Sequence, residues 1–380
     1  MSLPEAVFAG SVLLVFHAYL GYPLTLSAIS LFWRKPVRKE EYEPRVTLII
    51  TAYNEEKRID RKIENTLALK YPKEKFQVMI ASDGSTDRTN EIARGFHAHG
   101  IELLPLPERK GKENAQKEAI RAANGDILIF SDVATMLEPC GIERIVSNFA
   151  DPSVGCVSSE DRLIGEDGKP SGEGFYVRYE MWLRRLESTV NSLVGLSGSF
   201  FAARKEVCAD FSGDMQSDFR TLLSCASMGL RGVSDPEVLG FYRDISDRSR
   251  EFDRKVRTVL RGLTVFFQHV EFLNVFRYGL FSYQYFCHKL LRWSVPVFLG
   301  TAFLTNLLLA PNSPLFFGLF LVQLSFYGLA LWGWKRAGDA TCRNLVKIPA
   351  YFVTVNASIA VAWWRYLRRQ RIVMWTPSER

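Results

Sequence analysis

Between Arg45 and Asp244 short apolar runs alternate with polar segments of helical period. The runs VTLIITAYN, FQVMIASDG, IELLPL, DILIFSD and VGCVSS predict strands, and EEKRIDRKIENTLALK, DRTNEIARGF and GKENAQKEAIRAA predict the helices between them. This alternation is the rhythm of βαβ units and predicts a mostly parallel, doubly wound α/β sheet. Such sheets bind ligands in the crevice beyond the carboxyl ends of their strands. The loops expected there carry Thr51 to Glu55, Ser82 to Asp87 and Asp132 to Thr135, and all three contain acids.

Outside this middle region the pattern loses both periods and becomes uniformly apolar. No charged side chain occurs in the 28 residues between Glu5 and Arg34, more than the about 20 a helix needs to cross hydrocarbon. Basic residues follow this run (Arg34, Lys35, Arg38, Lys39) rather than precede it, which predicts an uncleaved anchor with its far end in the cytoplasm. A second charge-free stretch of 42 residues, Trp293 to Trp334, is broken only by PNSP at 311–314 and predicts a transmembrane hairpin, 293–310 and 315–334. Its return beside Lys335, Arg336, Arg343 and Lys347 agrees with the positive-inside rule. A third segment, 348–364, contains Pro349, Asn356 and Ser358 and precedes Arg365, Arg368, Arg369 and Arg371, so an interfacial or re-entrant helix is expected. Residues 263–290 mix aromatics with isolated charges and predict interfacial helices.

The domain organisation is therefore 1–44 anchor and basic linker, 45–262 cytoplasmic α/β domain, 263–290 interfacial helices, and 291–380 hairpin with the third apolar segment. A hydrophobic fraction of 47% with net charge +7 excludes a disordered chain and suits membrane proximity or an anionic ligand. Nucleic acid is not an expected partner, because the basic residues cluster beside apolar segments and no recognition helix carries them. Six cysteines, at 140, 156, 208, 225, 287 and 342, form no close pair and read as reduced structural thiols. The first strand leads into TAYNEE rather than a glycine-rich phosphate loop, so a dinucleotide or Walker site is not expected.

Six motifs in register carry a more specific reading: TAYNEE after the first strand, SDGSTD after the second, RKGKENAQ before the third helix, then FSDVAT, GLSGSFFAARKEV and QSDF. In this order and flanked by membrane segments, they resemble the membrane-bound inverting family-2 glycosyltransferases, the group of hyaluronan, poly-N-acetylglucosamine and cellulose-like synthases. The resemblance covers roughly residues 45–262 by motif and implies a GT-A-like (Rossmann-like) fold inserted between transmembrane helices.

Carried onto this chain, the resemblance implies that Thr51, Tyr53, Glu55 and Asp83 hold uracil and ribose, while SDGSTD also reads as a turn in which Ser85 or Asp87 caps the next helix. Lys112 is expected to approach the nucleotide from the opening of its helix, where backbone N–H groups favour anions. Asp132 matches the first acid of the Asp-x-Asp motif that ligates Mg²⁺ or Mn²⁺ on the diphosphate, and Ala134 replaces the second acid. Asp218 matches the general base, with a surface helix cap as the competing reading. Gly198 and Ser199 are expected to line the acceptor pocket, where glycine admits close backbone approach, though a tightly packed strand start explains them as well. The Gln-x-x-Arg-Trp motif of the polymer synthases falls on residues 254–258, where its arginine is kept and its glutamine and tryptophan are not. Arg254 and Arg257 could then offset diphosphate charge or rest on lipid phosphates.

The expected activity is inverting, metal-dependent transfer from a UDP-sugar to a growing polysaccharide or lipid-linked acceptor at the cytoplasmic membrane. Two alternatives stay open: single transfer to a polyprenyl-phosphate-linked carrier, favoured by the altered Arg-rich motif, and a non-catalytic partner of export-complex proteins, motivated by the missing second metal acid. Expected partners are the donor, the acceptor and membrane lipids.

Overall fold

The computed structural model describes residues 1–164, 175–243, 248–336 and 344–371. Cys342 and Arg343 lie outside the described residues. Helix α1 (Leu3–Phe16) continues through a π turn at His17–Gly21 into α2 (Tyr22–Phe32). The α/β region then runs β1 (Val46–Ala52), α3 (Ile59–Leu67), β2 (Phe76–Ser82), α4 (Thr89–Gly95), β3 (Ile101–Pro105), α5 (Lys112–Ala122), β4 (Ile127–Asp132) and β5 (Met136–Leu137). It closes with α6 (Gly141–Ser147), β6 (Val154–Ile164), α7 (Phe175–Val190), β7 (Phe200–Arg204), α8 (Ser217–Ser227) and β8 (Arg231–Arg243). The chain ends in α9 (Arg248–Gln268), α10 (Val275–Tyr278), α11 (Leu280–Tyr285), α12 (Arg292–Leu309), α13 (Pro314–Arg336) and α14 (Asn344–Leu367). It divides into two compact units, a helical one of Met1–Ala28 and Asp247–Arg371 and a sheet-containing one built on Ile29–Ser246.

Among the described residues the sheet has eight strands in the order β3-β2-β1-β4-β7-β6-β8-β5. Its first half is parallel throughout, as the βαβ rhythm predicts; β7 and β5 enter antiparallel, while β6 and β8 pair in parallel. Alternate residues of each central strand serve opposite faces, so two cores result. Leu48, Ile50, Ile127 and Ile129 pack on one face with Ile59 and Ile63 of α3. Ile49, Leu128 and Phe130 pack on the other with Ala115 and Ala119 of α5, where Phe130 stacks on Phe201 at 4.7 Å. Burial on both faces explains why these strands read as continuous apolar runs.

Register then decides where function can sit. Thr51 lies opposite Asp132 on one side and Ala81 on the other, and Ala52 lies opposite Ser82. The carboxyl ends of β1, β2 and β4 therefore finish level, and the three acidic loops leave the sheet side by side.

Among the described residues, four stretches are long and apolar enough to cross a membrane: Leu3–Phe32, Leu280–Asn312, Pro314–Arg336 and Val346–Leu367. The second begins well before Trp293, because α11 passes through a π turn at Phe286–Leu291 into α12 without a break and carries His288, Lys289 and Arg292 along. The fourth is a continuous helix of 24 residues despite Pro349. Two polar side chains that weakened it in the sequence donate back into the helix, Asn356 Nδ2 to the Phe352 carbonyl (2.9 Å) and Ser358 Oγ to the Val355 carbonyl (2.7 Å). Its length and composition are thus those of a span rather than of a short interfacial helix.

Candidate active site

The loop after β1 is locked to the loop after β2. Asn54 has a left-handed backbone (φ 51°), donates its N–H to Ser85 Oγ (3.1 Å) and accepts from the Thr86 N–H on Oδ1 (2.8 Å). Glu55 N–H donates to Thr89 Oγ1 (2.7 Å), and Asp87 Oδ1 accepts from the Thr89 N–H (3.0 Å) at the start of α4. Asp87 thus ties the SDGSTD turn to Thr89, and although burial opposes it, hydrogen bonds from Thr89 and the Glu56 N–H hold its carboxyl below the ordinary value.

Asp83 is only 2% exposed. Its Oδ1 accepts from the Lys110 N–H and its Oδ2 from the Gly111 N–H, both at 2.8 Å, so this acid shapes the RKGK loop that opens α5. Gly84 makes the close approach possible: its φ is +64°, and a Cβ there would stand 2.6 Å from the Arg109 backbone nitrogen. The same loop lays the Arg109 guanidinium over the Tyr53 ring at 3.8 Å. Glu55 is buried and pairs with Arg58 at 2.7 Å. Burial pushes its carboxyl above the ordinary value, with the Arg58 charge acting against the rise. Thr51 behaves differently: its buried Oγ1 has no hydrogen-bond partner among the described residues.

The chemistry-bearing groups converge beyond β4. Lys112, the first residue of α5, places Nζ 2.5 Å from Asp132 Oδ1 and 2.9 Å from the Gly198 carbonyl. The Asp132 side chain remains 23% exposed. The Asp132 N–H bonds the Ser199 carbonyl (3.0 Å), which ties the acid to the GLSGS loop. A Cβ on Gly198 would stand 3.5 Å from Asp218 Oδ2, so the acid in the first turn of α8 faces the same loop. Gln216 Nε2 donates to Asp218 Oδ2 (3.2 Å). Lys112, Asp132, Gly198, Ser199 and Asp218 thus form one cluster, with Thr51, Tyr53 and Asp83 on the adjoining loops.

Arg254 and Arg257 belong to α9 of the helical unit. Arg254 pairs there with Glu251 at 2.7 Å, and Lys255 bonds the same carboxylate. Burial would raise the Glu251 carboxyl, but those two cations outweigh it and hold it down at about 2.

Two further residues were not singled out from the sequence. Asp161 accepts from both Ser197 Oγ (2.8 Å) and Ser199 Oγ (2.6 Å), and its signal was the one Asp132 gave, an acid closing an apolar run, here VGCVSSED. Lys62 occupies the buried stripe of α3 with Ile59, Ile63 and Thr66. Burial pushes its ammonium down to about 7, with the charge of Asp132 opposing.

Among the described residues no group of three or more His, Cys, Asp or Glu gathers to hold a metal ion. A hard dication such as Mg²⁺ or Mn²⁺ needs no such cage when phosphate oxygens and water complete its shell. Asp132, partly exposed and with Oδ1 engaged, fits a dication carried by a diphosphate and held through one carboxylate; it does not fit a metal bound by protein alone.

Residues 47–211 match the family model described as Glycosyl transferase family 2. Over this segment the chain is similar to the family 2 glycosyl transferases. Within the curated proteins, the poly-beta-1,6-N-acetyl-D-glucosamine synthase of Staphylococcus aureus (strain COL) is 27% identical over 207 residues, 53% of this chain and 47% of that protein. The glycosyltransferase AglE of Haloferax volcanii is 29% identical over 159 residues, 40% of this chain and 52% of its own length. The chain spans about half the length of the curated relatives it matches. Among solved structures, a mannosyltransferase of Pyrobaculum calidifontis in complex with GDP-Man and Mn²⁺ superposes with a TM-score of 0.75 at 23% identity, covering 97% of this chain and 100% of that one. That likeness shows a GT-A-type fold for this chain.

Proposed function

We propose that the cleft transfers a sugar from a UDP-sugar to an acceptor hydroxyl with inversion, in the synthesis of an exopolysaccharide or a lipid-linked glycan. The observation that carries this reading is the single cluster joining Asp132, Lys112 and Gly198 to Asp218. Lys112 brings a cation and the first turn of α5 to the diphosphate. Thr51 offers its unpartnered hydroxyl to the nucleoside, and Tyr53 offers a ring face. Asp83 acts by building the loop beneath the base.

Asp218 takes the proton of the acceptor hydroxyl as its oxygen attacks the anomeric carbon. The bond from that carbon to the diphosphate oxygen breaks on the opposite face, and UDP leaves with the electron pair. When bound at Asp132, Mg²⁺ or Mn²⁺ supplies Lewis-acid charge that stabilises the leaving diphosphate. Ser199, whose hydroxyl donates to Asp161, offers its oxygen as a hydrogen-bond acceptor on the acceptor side.

The membrane reading places the sheet-containing unit in the cytoplasm, on the side favoured by Arg34, Lys35, Arg38 and Lys39. The altered residues at 254–258 favour one transfer to a lipid-linked carrier over a long polymer, because no tryptophan stacks on the acceptor sugar there. The test is nucleoside diphosphate release by the purified full chain, screened over UDP- and GDP-sugars with and without Mn²⁺. Metal-dependent UDP release that is lost in Asp132→Ala is expected. Release only from GDP-sugars overturns the choice of donor, and no release from any donor overturns the reading.

A further inference from the structure

Helix α3 presents Ile59, Lys62, Ile63 and Thr66 to the interior, the spacing of an apolar stripe, yet one member is a lysine. Lys62 is 0% exposed. Its Nζ donates to Ser131 Oγ (2.8 Å) and to the Thr135 carbonyl (2.5 Å), the residues on either side of the Asp132 turn. No carboxylate contacts it among the described residues.

Packing alone does not call for this arrangement. An ammonium without an ion partner is costly to bury, whereas a methionine would fill the same stripe without that cost. The neighbouring Asn65 already ties α3 to the loop with a neutral amide, donating to the Leu137 carbonyl and accepting from the Leu137 N–H, both at 2.9 Å. What the lysine adds is a positive charge behind Asp132 and two donors that bracket it. The turn itself is closed by the Thr135 N–H on the Asp132 carbonyl (3.1 Å), so Lys62 grips both limbs of a turn that the acid opens. On the cleft side the same acid already meets Lys112.

We infer that Lys62 is a positioning residue of the donor site, holding the Ser131–Thr135 turn so that Asp132 faces the donor's diphosphate. Its charge also compensates that carboxylate from behind when Lys112 engages the donor. This rests on the donor reading above. Lys62 itself touches neither donor nor acceptor.

The experiment titrates the purified full chain with UDP plus Mn²⁺ by calorimetry, comparing wild type, Lys62→Met and Ser131→Ala, and records Tm alongside. Lys62→Met is expected to weaken UDP binding by about tenfold or more, as for residues that orient a metal ligand, with Tm held or raised. Ser131→Ala, which removes one of the two grips, is expected to weaken it by about threefold. A folded Lys62→Met that binds within about twofold of wild type overturns the inference, and a drop in Tm with unchanged affinity identifies a merely structural lysine. Should Lys62→Met fail to fold, Ser131→Ala decides by the same comparison. If wild type binds neither UDP nor GDP with Mn²⁺, the donor reading itself falls and this inference with it.

Discussion

Replacing Asp83 by Asn tests whether this acid builds the cleft. Each of its two oxygens accepts one backbone N–H of the RKGK loop at 2.8 Å, and the side chain is buried. Asparagine keeps one acceptor and turns an NH₂ group toward the other N–H, so a donor meets a donor. A hydrogen bond to a charged acceptor contributes about 1.5–3 kcal/mol, and a buried N–H left unpaired costs about 1–3 kcal/mol. Because the two terms overlap, a loss of about 2–4 kcal/mol is expected. For a unit of this size about 1 kcal/mol moves Tm by roughly 2–4 °C, so a fall of about 4–16 °C follows. Thermal unfolding in detergent reads the global effect, and hydrogen exchange at the Lys110 and Gly111 amides reads the local one. A Tm within about 1 °C of wild type, with those amides still protected, refutes the assignment. An unchanged Tm with lost nucleotide binding would return Asp83 to the direct base-holding role expected from its motif.

Asp218→Asn is expected to lower transfer by about 10²–10⁴-fold while UDP affinity and Tm hold, since Asp218 faces the acceptor side; steady-state rates and calorimetry check both. Stability should also depend on pH through Lys62. Its folded value, about 7, lies below the ordinary 10.5, so the folded state binds fewer protons than the unfolded one between these limits. Wild type therefore gains stability as pH rises from about 7 toward 10.5, and Lys62→Met, which titrates nothing there, does not. The Tm advantage of Lys62→Met is thus largest below pH 7 and shrinks above it, as a series of melts will show; an advantage constant in pH contradicts the sign. On α9, Glu251→Gln is expected to lower stability above about pH 4.5, where the wild-type carboxylate is fully charged beside Arg254 and Lys255, with the difference fading as pH falls through about 2. Melts at pH 7 and at acid pH check it.

Much of the architecture was legible along the chain because it is written in local periods. Short apolar runs announced β1 to β4 and β6, and charge-free lengths announced long apolar helices. The acids closing FQVMIASD and DILIFSD pointed to the crevice because a carboxylate at the end of a buried strand calls for a partner. Strands β5 and β8 escaped, since β5 has two residues and β8 contains Asp235 and Pro236, while β7 was legible as one of two readings of GLSGSFFAAR. The start of one apolar helix escaped as well, since the π turn at Phe286–Leu291 lets Lys289 and Arg292 stay helical ahead of the charge-free run.

Tertiary structure alone decided which way each acid faces. Motif spacing treated Glu55, Asp83 and Asp132 alike; packing turned Glu55 onto Arg58, gave Asp83 to two backbone amides, and left Asp132 partly exposed beside Lys112. The direction of a side chain depends on the neighbour that satisfies it, and those neighbours, Lys110 for Asp83 and Ser199 for Asp132, come from distant parts of the chain. Lys62 shows the same limit from the other side: its position on an apolar stripe was visible in the sequence, but only the fold put Ser131 and Thr135 against it.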